Sequence, residues 1–173
     1  TVVDRIGDPL THLIRNSMDH GLETPQQRLQ ANKSEEGTIT LSAFHETGSI
    51  VIEVKDDGRG LDATKILALA KERGLVAANQ KMNRSDIYNL IFEPGFSTAK
   101  TINNLSGRGV GMDVVRRNIE ALRGTVTIFS EPNQGSRIVM RLPLTLAIID
   151  GFHVQVAGES FIIPLDAMVE CIA

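Results

Sequence analysis

HLIRNSMDHG, residues 12–21, is the stretch from which the rest of this chain is read. Just ahead of it, Asp8 and Pro9 make a helix start, with the aspartate as cap and proline at the first helical position. Leu10, Leu13, Ile14 and Met18 then recur at helical spacing and fall on one face, the core face. His12, Arg15, Asn16 and Asp19 fall on the opposite face, with His20 one turn beyond Asn16 and Gly21 as the end signal. A side-chain carbonyl oxygen such as that of Asn16 suits Mg²⁺, and Arg15 beside it can reach a phosphate oxygen. The same residues also make an ordinary solvated face with an Arg15–Asp19 ion pair, and a zinc reading of His12 and His20 lacks a third ligand.

Two later stretches extend the pattern. Residues 38–44 and 49–55 alternate as strands around the turn HETG, and DDGRG, residues 56–60, follows the second strand directly. Asp56 there can accept a hydrogen bond from an exocyclic amine such as that of adenine, while Gly58 and Gly60 let backbone approach a flat ring without a Cβ. A plain strand-to-loop turn uses the same residue types. GRGVGMD, residues 107–113, puts Gly107, Gly109 and Gly111 just before a helix whose free N–H groups can meet phosphates. It is neither a dinucleotide fingerprint nor a Walker loop, since G-x-G-x-G is one residue short and no Gly-Lys-Ser/Thr occurs.

Between and beyond these blocks, Asp62 caps a helix over residues 63–73 that Gly74 closes, and a shorter helix runs through residues 86–92. Residues 93–109 have no clear period and are long for a connection, as a functional lid is. Residues 111–124 are amphipathic, with Val114, Val115, Ile119 and Leu122 inward, and strands follow at 125–131 and 136–144. After Thr145 the chain reads as strands joined by the turn AGES, so the domains are set at 1–145 and 146–173. His45-Glu46 sits in a hairpin turn, and His153 and Cys171 are expected to be structural.

At 173 residues, 42% hydrophobic and 23% charged, the chain is an ordinary globular protein with one good-sized core. A net charge of −3 offers no broad basic face, so nucleic acid is not expected as a partner. No run approaches the ~18 apolar residues of a membrane span. Lacking an initial Met and stopping at VECIA in mid-pattern, the sequence is read as a piece of a larger cytoplasmic protein.

Together with FEPGFST, residues 92–98, the three blocks resemble the nucleotide-binding signature of the histidine-kinase, gyrase, Hsp90 and MutL ATPase superfamily. Within it, HLIRNSMDHG, IFEPGFSTA and SGRGVGMDVV are similar to the chemotaxis histidine kinases of the CheA type, and residues 142–165 resemble the start of their CheW-like regulatory domain. The resemblance implies a two-layer α/β sandwich (the Bergerat-type ATP-binding fold) with a short β tail from a second domain. It implies ATP and Mg²⁺ as cofactors, with Asn16 holding the metal, Asp56 reading adenine, and Gly58 and Gly60 flanking the base. Phe92, Phe96 and Ser97 would support the lid. Gly107, Arg108, Gly109, Val110, Gly111 and Met112 would border the phosphates, with Arg15, Asp19, His20 and Lys100 as further contacts. His12 stands where ATP hydrolases of the superfamily carry a glutamate that activates water. That difference favours transfer of the γ-phosphoryl group to a histidine on a separate phosphotransfer domain, with His12 and Asn16 catalytic. An ATPase driven by lid closure and a non-catalytic nucleotide sensor are the alternatives. Expected partners are that phosphotransfer domain, a CheW-like adaptor, chemoreceptors in membrane arrays, and a second copy through dimerisation helices not contained here.

Overall fold

The apolar stripe of the first helix reaches further back than Pro9 suggests. The computed structural model describes residues 2–77, 79–96, 111–144, 151–156 and 158–164. Its first helix, α1, spans Val2–Asn16 and carries Pro9 in its interior, so the expected start at Asp8 is too late. Ile6 is buried in the core ahead of Pro9, in line with Leu10 and Leu13. Packing of that stripe draws the preceding turn into the helix although Pro9 forfeits a backbone hydrogen bond.

The other end of α1 also departs from the expected spacing. The helix widens into a π-helical turn, Ser17–Gly21, closed by the Leu22 N–H donating to Ser17 O at 2.8 Å. Ser17 continues the core-facing stripe of Ile6, Leu10 and Leu13 at helical spacing, while Met18, expected on the core face, is 60% exposed. Gly21 ends the helical segment as expected.

Thr24 then caps α2, Pro25–Gln30, through a reciprocal capping box with Gln27. Strands β1, Ile39–Glu46, and β2, Ser49–Asp56, form an antiparallel hairpin whose turn is only Thr47 and Gly48. Both turn residues have positive φ (27° and 76°), the conformation that matches the twist of a two-residue hairpin. Asp62 caps α3, Ala63–Glu72, by accepting from the Thr64 and Lys65 N–H groups. Asn83 caps α4, Arg84–Asn89, which runs on into a short 3₁₀ turn, Leu90–Phe92. Helix α5, Met112–Glu120, leads into β3, Thr125–Glu131, and β4, Gly135–Pro143.

The four strands make one antiparallel sheet in the order β1-β2-β4-β3. Ile52, Val54, Ile128, Ile138 and Met140 point from one face of it, and Leu13, Phe92, Val115 and Ile119 meet them from the helical side. This is a two-layer α/β sandwich. The opposite sheet face carries the ion pairs Arg137–Glu53 and Arg141–Glu46 beside the exposed rings of Phe44 and Phe129. A separate two-stranded sheet, β5 (Gly151–Val156) with β6 (Glu159–Pro164), follows the expected boundary near residue 145, which itself lies outside the described residues.

This register sets a stability contrast along α1. Leu13→Ala should cost about 2–5 kcal/mol, because a fully buried side chain leaves a cavity. Met18→Ala should change stability by no more than about 0.5 kcal/mol, as exposed substitutions usually do. Denaturant unfolding of both variants tests this, and comparable losses would contradict this register.

Candidate functional site

The end of β2 faces the π-helical turn and the start of β4, and Asp56 sits among all three. Its carboxylate is only 5% exposed. The Gly58 and Ser136 backbone N–H groups donate to Oδ1 at 3.0 and 3.2 Å, and Ser17 Oγ donates to Oδ2 at 3.1 Å. An ionised carboxylate accepts about four hydrogen bonds, so Oδ2 retains capacity for one further donor. A buried carboxylate held by backbone donors and offering one more lone pair is suited to reading an amine edge.

The glycines around Asp56 are required by the chain's own packing. A Cβ on Gly58 would lie 2.1 Å from Gly21 O, and one on Gly60, which has φ +70°, would lie 2.3 Å from Glu131 O. The sequence reading gave both glycines the task of leaving room for a ring. In the structure protein backbone fills that room, so their absent side chains first serve to close the loop onto its neighbours.

Asn16 stands at the junction of α1 and the π-helical turn, and its amide nitrogen contacts Met112 Sδ at 3.2 Å. That contact brings the end of α1 against the start of α5. Among the described residues the Asn16 carbonyl oxygen has no hydrogen-bond partner, and a lone hard oxygen of this kind fits Mg²⁺. Gly111, the N-cap of α5, supplies no side-chain cap, so among the described residues the Met112 and Asp113 N–H groups have no partner and keep their capacity for an anion. Asp113 in that first turn is engaged at Oδ2 by Arg117 at 2.9 Å.

His12 is half-buried one turn before Asn16. Burial and then Arg15 push its imidazole below the ordinary histidine value; Asp113 pulls it back, and His20 adds to the lowering. The ring is therefore neutral at pH 7. Asp19 and His20 are exposed at the mouth of the turn, and Arg15 is exposed beside them. Phe92 and Phe96 are interior: Phe92 belongs to the main core, and Phe96 to a smaller cluster with Ala70, Val76 and Leu90. Arg116 lies over the Phe92 ring at 5.2 Å and Arg73 over Phe96 at 5.8 Å, which ties residues 92–96 to α5 and α3. Ser97, Lys100, Gly107, Arg108, Gly109 and Val110 lie outside the described residues.

Several participants were not foreseen. Ser17 and Ser136 complete the donor set of Asp56, and Arg28 is buried against Glu23 and Asp57. Nothing in local spacing places Arg28 against a loop 29 positions away. Among the described residues no three His, Cys, Asp or Glu side chains gather as a metal-ligating group.

The fold and this arrangement define a nucleotide-binding module. Residues 4–146 match the model of the histidine kinase-, DNA gyrase B- and HSP90-like ATPases, and the chain belongs to that family. It is 54% identical over 170 residues to chemotaxis protein CheA of Salmonella typhimurium and 52% identical over 170 residues to that of Rhizobium meliloti, each alignment covering 98% of this chain. It is also 48% identical over 174 residues to sensor histidine kinase CheAY of Helicobacter pylori, covering 99% of this chain. The chain spans 25%, 22% and 22% of the lengths of these three relatives, in that order.

The His12 environment predicts a pH effect of defined sign. A histidine with a folded-state value below the ordinary ~6.5 makes the unfolded state the better proton binder, so stability falls as pH drops through that range. His12→Gln should lose less stability than the unsubstituted chain when pH is lowered from about 7.5 to about 5.5. Equal losses in denaturant titrations would show that the ring is not held neutral.

Proposed function

We propose that this chain is the ATP-binding catalytic domain of a chemotaxis histidine kinase, transferring the γ-phosphoryl group of Mg-ATP to a histidine on a separate phosphotransfer domain. One observation carries the reading: Asp56, Asn16 and the uncapped start of α5 come from distant parts of the chain and converge at one end of the sheet. Family membership and the CheA relatives support it.

On this reading the free lone pair of Asp56 Oδ2 accepts the adenine 6-amino group, while the Asn16 carbonyl oxygen would hold Mg²⁺. When bound, that ion supplies charge neutralisation at the phosphates and orients them for in-line transfer. The first N–H groups of α5 meet phosphate oxygens, with Arg15 beside Asn16 as a further cation. In the transfer step the acceptor imidazole nitrogen forms a bond to the γ-phosphorus, the bond to the β,γ-bridging oxygen breaks, and ADP leaves with that electron pair. The acceptor arrives neutral, so positioning matters more than proton abstraction. His12, neutral at pH 7, hydrogen-bonds a phosphate or a metal-bound water.

The β5–β6 hairpin exposes Val156, Phe161 and Ile162, more apolar surface than an isolated two-stranded sheet can sustain. It reads as the opening of a CheW-like β domain over residues 146–173, through which the parent protein would meet an adaptor and chemoreceptors. Among the described residues no helix is long and apolar enough to cross a membrane.

The test is incubation with labelled Mg-ATP and a purified CheA phosphotransfer domain. Acid-labile label on the partner's histidine is expected; free phosphate with an unlabelled partner would mean an ATPase instead. Asp56→Asn should weaken ATP by about ten- to a hundredfold in calorimetry, the loss of a charge-assisted hydrogen bond of roughly 1.5–3 kcal/mol. Unchanged affinity in the folded variant would remove Asp56 as the adenine reader.

A further inference from the structure

Among the described residues, the buried polar side chains are Ser17, Asp56 and Arg28. The first two meet each other. Arg28, on α2, is 2% exposed and touches neither, yet a buried guanidinium is costly unless the structure uses its full set of donors. Its Nε donates to Ser34 O at 2.7 Å, and Nη1 to Glu23 Oε2, Asp57 O and Asp57 Oδ1 at 3.3, 3.3 and 3.1 Å. Its Nη2 reaches Asp57 Oδ2 at 2.9 Å. Lys33 joins from the loop after α2, its Nζ donating to Glu23 Oε1, Asp57 O and Gly58 O at 2.8, 2.9 and 2.6 Å.

These two cations hold the carbonyl ends of two consecutive peptide groups. The other ends of the same two groups face the nucleotide site. The peptide whose oxygen is Asp57 O carries the Gly58 N–H that donates to Asp56 Oδ1 at 3.0 Å. The next peptide, whose oxygen is Gly58 O, carries the Arg59 N–H that donates to Gly21 O at 2.9 Å. A peptide group is planar and rigid, so fixing its oxygen fixes the direction of its N–H. Glycine at position 58 leaves the torsions between the two planes intrinsically free, so this loop needs an external hold.

We propose that Arg28 and Lys33 are positioning residues of the nucleotide site, gripping the outer side of the 57–58 loop so that its inner side keeps Asp56 aimed at the base. The inference rests on the reading of Asp56 as the adenine contact. Glu23 completes the device by bridging both cations, and it carries no group toward the site. Burial works to raise the Asp57 carboxyl, but the Thr38 N–H and the Arg28 guanidinium outweigh it and hold the group below the ordinary carboxylate range. The grip therefore stays charged through the neutral range.

The experiment measures binding of Mg-ATP and Mg-ITP to the whole chain by calorimetry. ITP carries an oxygen where ATP carries the amine, so the ratio of the two affinities reports the aim of Asp56 rather than general integrity. In Lys33→Met the ATP affinity should fall roughly tenfold with little change for ITP, because the contact that is misaligned is the one only ATP makes. Lys33→Gln, which keeps a polar end but cannot reach both carbonyls as a cation, should lower the ratio in the same direction and serves if the Met variant does not fold. Asp56→Asn, measured alongside, should abolish or invert the preference. A Lys33 variant that weakens both nucleotides by one factor, or neither, while Asp56→Asn lowers the ratio, overturns the positioning role. An unchanged ratio in Asp56→Asn overturns the adenine reading itself, and this inference with it.

Discussion

A carboxylate buried at the end of a strand is costly unless hydrogen-bond donors replace the water it has lost. Asp56 meets that demand with donors from three separate segments: Ser17 in the π-helical turn, Gly58 in the following loop, and Ser136 in β4. The packing around it is tight enough to exclude side chains. A Cβ on Gly135 would fall 2.0 Å from Asp56 O, and one on Gly58 would fall 2.1 Å from Gly21 O. The end of α1 answers to the same constraint, since Ser17, at the start of the π-helical turn, donates its hydroxyl to Asp56 Oδ2. The sheet end, the helix end and the loop are thus one unit organised around a single charge.

What could be read from the sequence followed what is local. Strand alternation, the cap at Asp62 and the closing glycine after α3 depend on neighbours a few residues apart, and the structure bears them out. The start of α1 was misread because Pro9 is a strong local signal, while the burial of Ile6 is a tertiary effect that overrides it. Met18 was misplaced for the same kind of reason. Helical spacing after Leu13 allows either Ser17 or Met18 to face inward, and the buried partner of Ser17, Asp56, lies 39 positions away. Asp56, Asn16 and the glycines stand out in the sequence as candidates because few residue types suit those tasks. The Arg28–Lys33–Glu23 cluster does not, because charged residues on a short helix are ordinary until their partners in space are known.

Ion pairs in this protein differ in what they do. Arg137–Glu53 and Arg141–Glu46 lie on the open face of the sheet, where solvent screens them and their contribution is small. The pairs of Arg28 with Glu23 and Asp57 are largely withdrawn from water on the arginine side, and breaking one partner there leaves a buried charge unmatched. Such a cluster is poor value as generic stabilisation, because an apolar replacement of equal volume is often as stable. Its use lies in direction: a charged donor aimed at a carbonyl fixes a peptide plane, which an apolar contact cannot do.

The phosphate end of the site has a different electrostatic problem, that of holding a polyanion on a chain of net charge −3. The attraction must be local, and on the proposed reading the N-terminus of α5 and Arg15 on α1 would supply it, with Arg117 engaging the carboxylate of Asp113. On the proposed reading a glutamate at position 12 would add a second negative group near the phosphates and a base able to activate water. A half-buried neutral imidazole adds no such charge, and it is not the carboxylate that, by the resemblance, serves as base in the superfamily's hydrolases. Hydrolysis is the reaction that suffers from this, because water needs a base to become a competent nucleophile. An incoming neutral imidazole needs none, so on the proposed reading the same substitution would leave transfer to histidine intact while disfavouring hydrolysis.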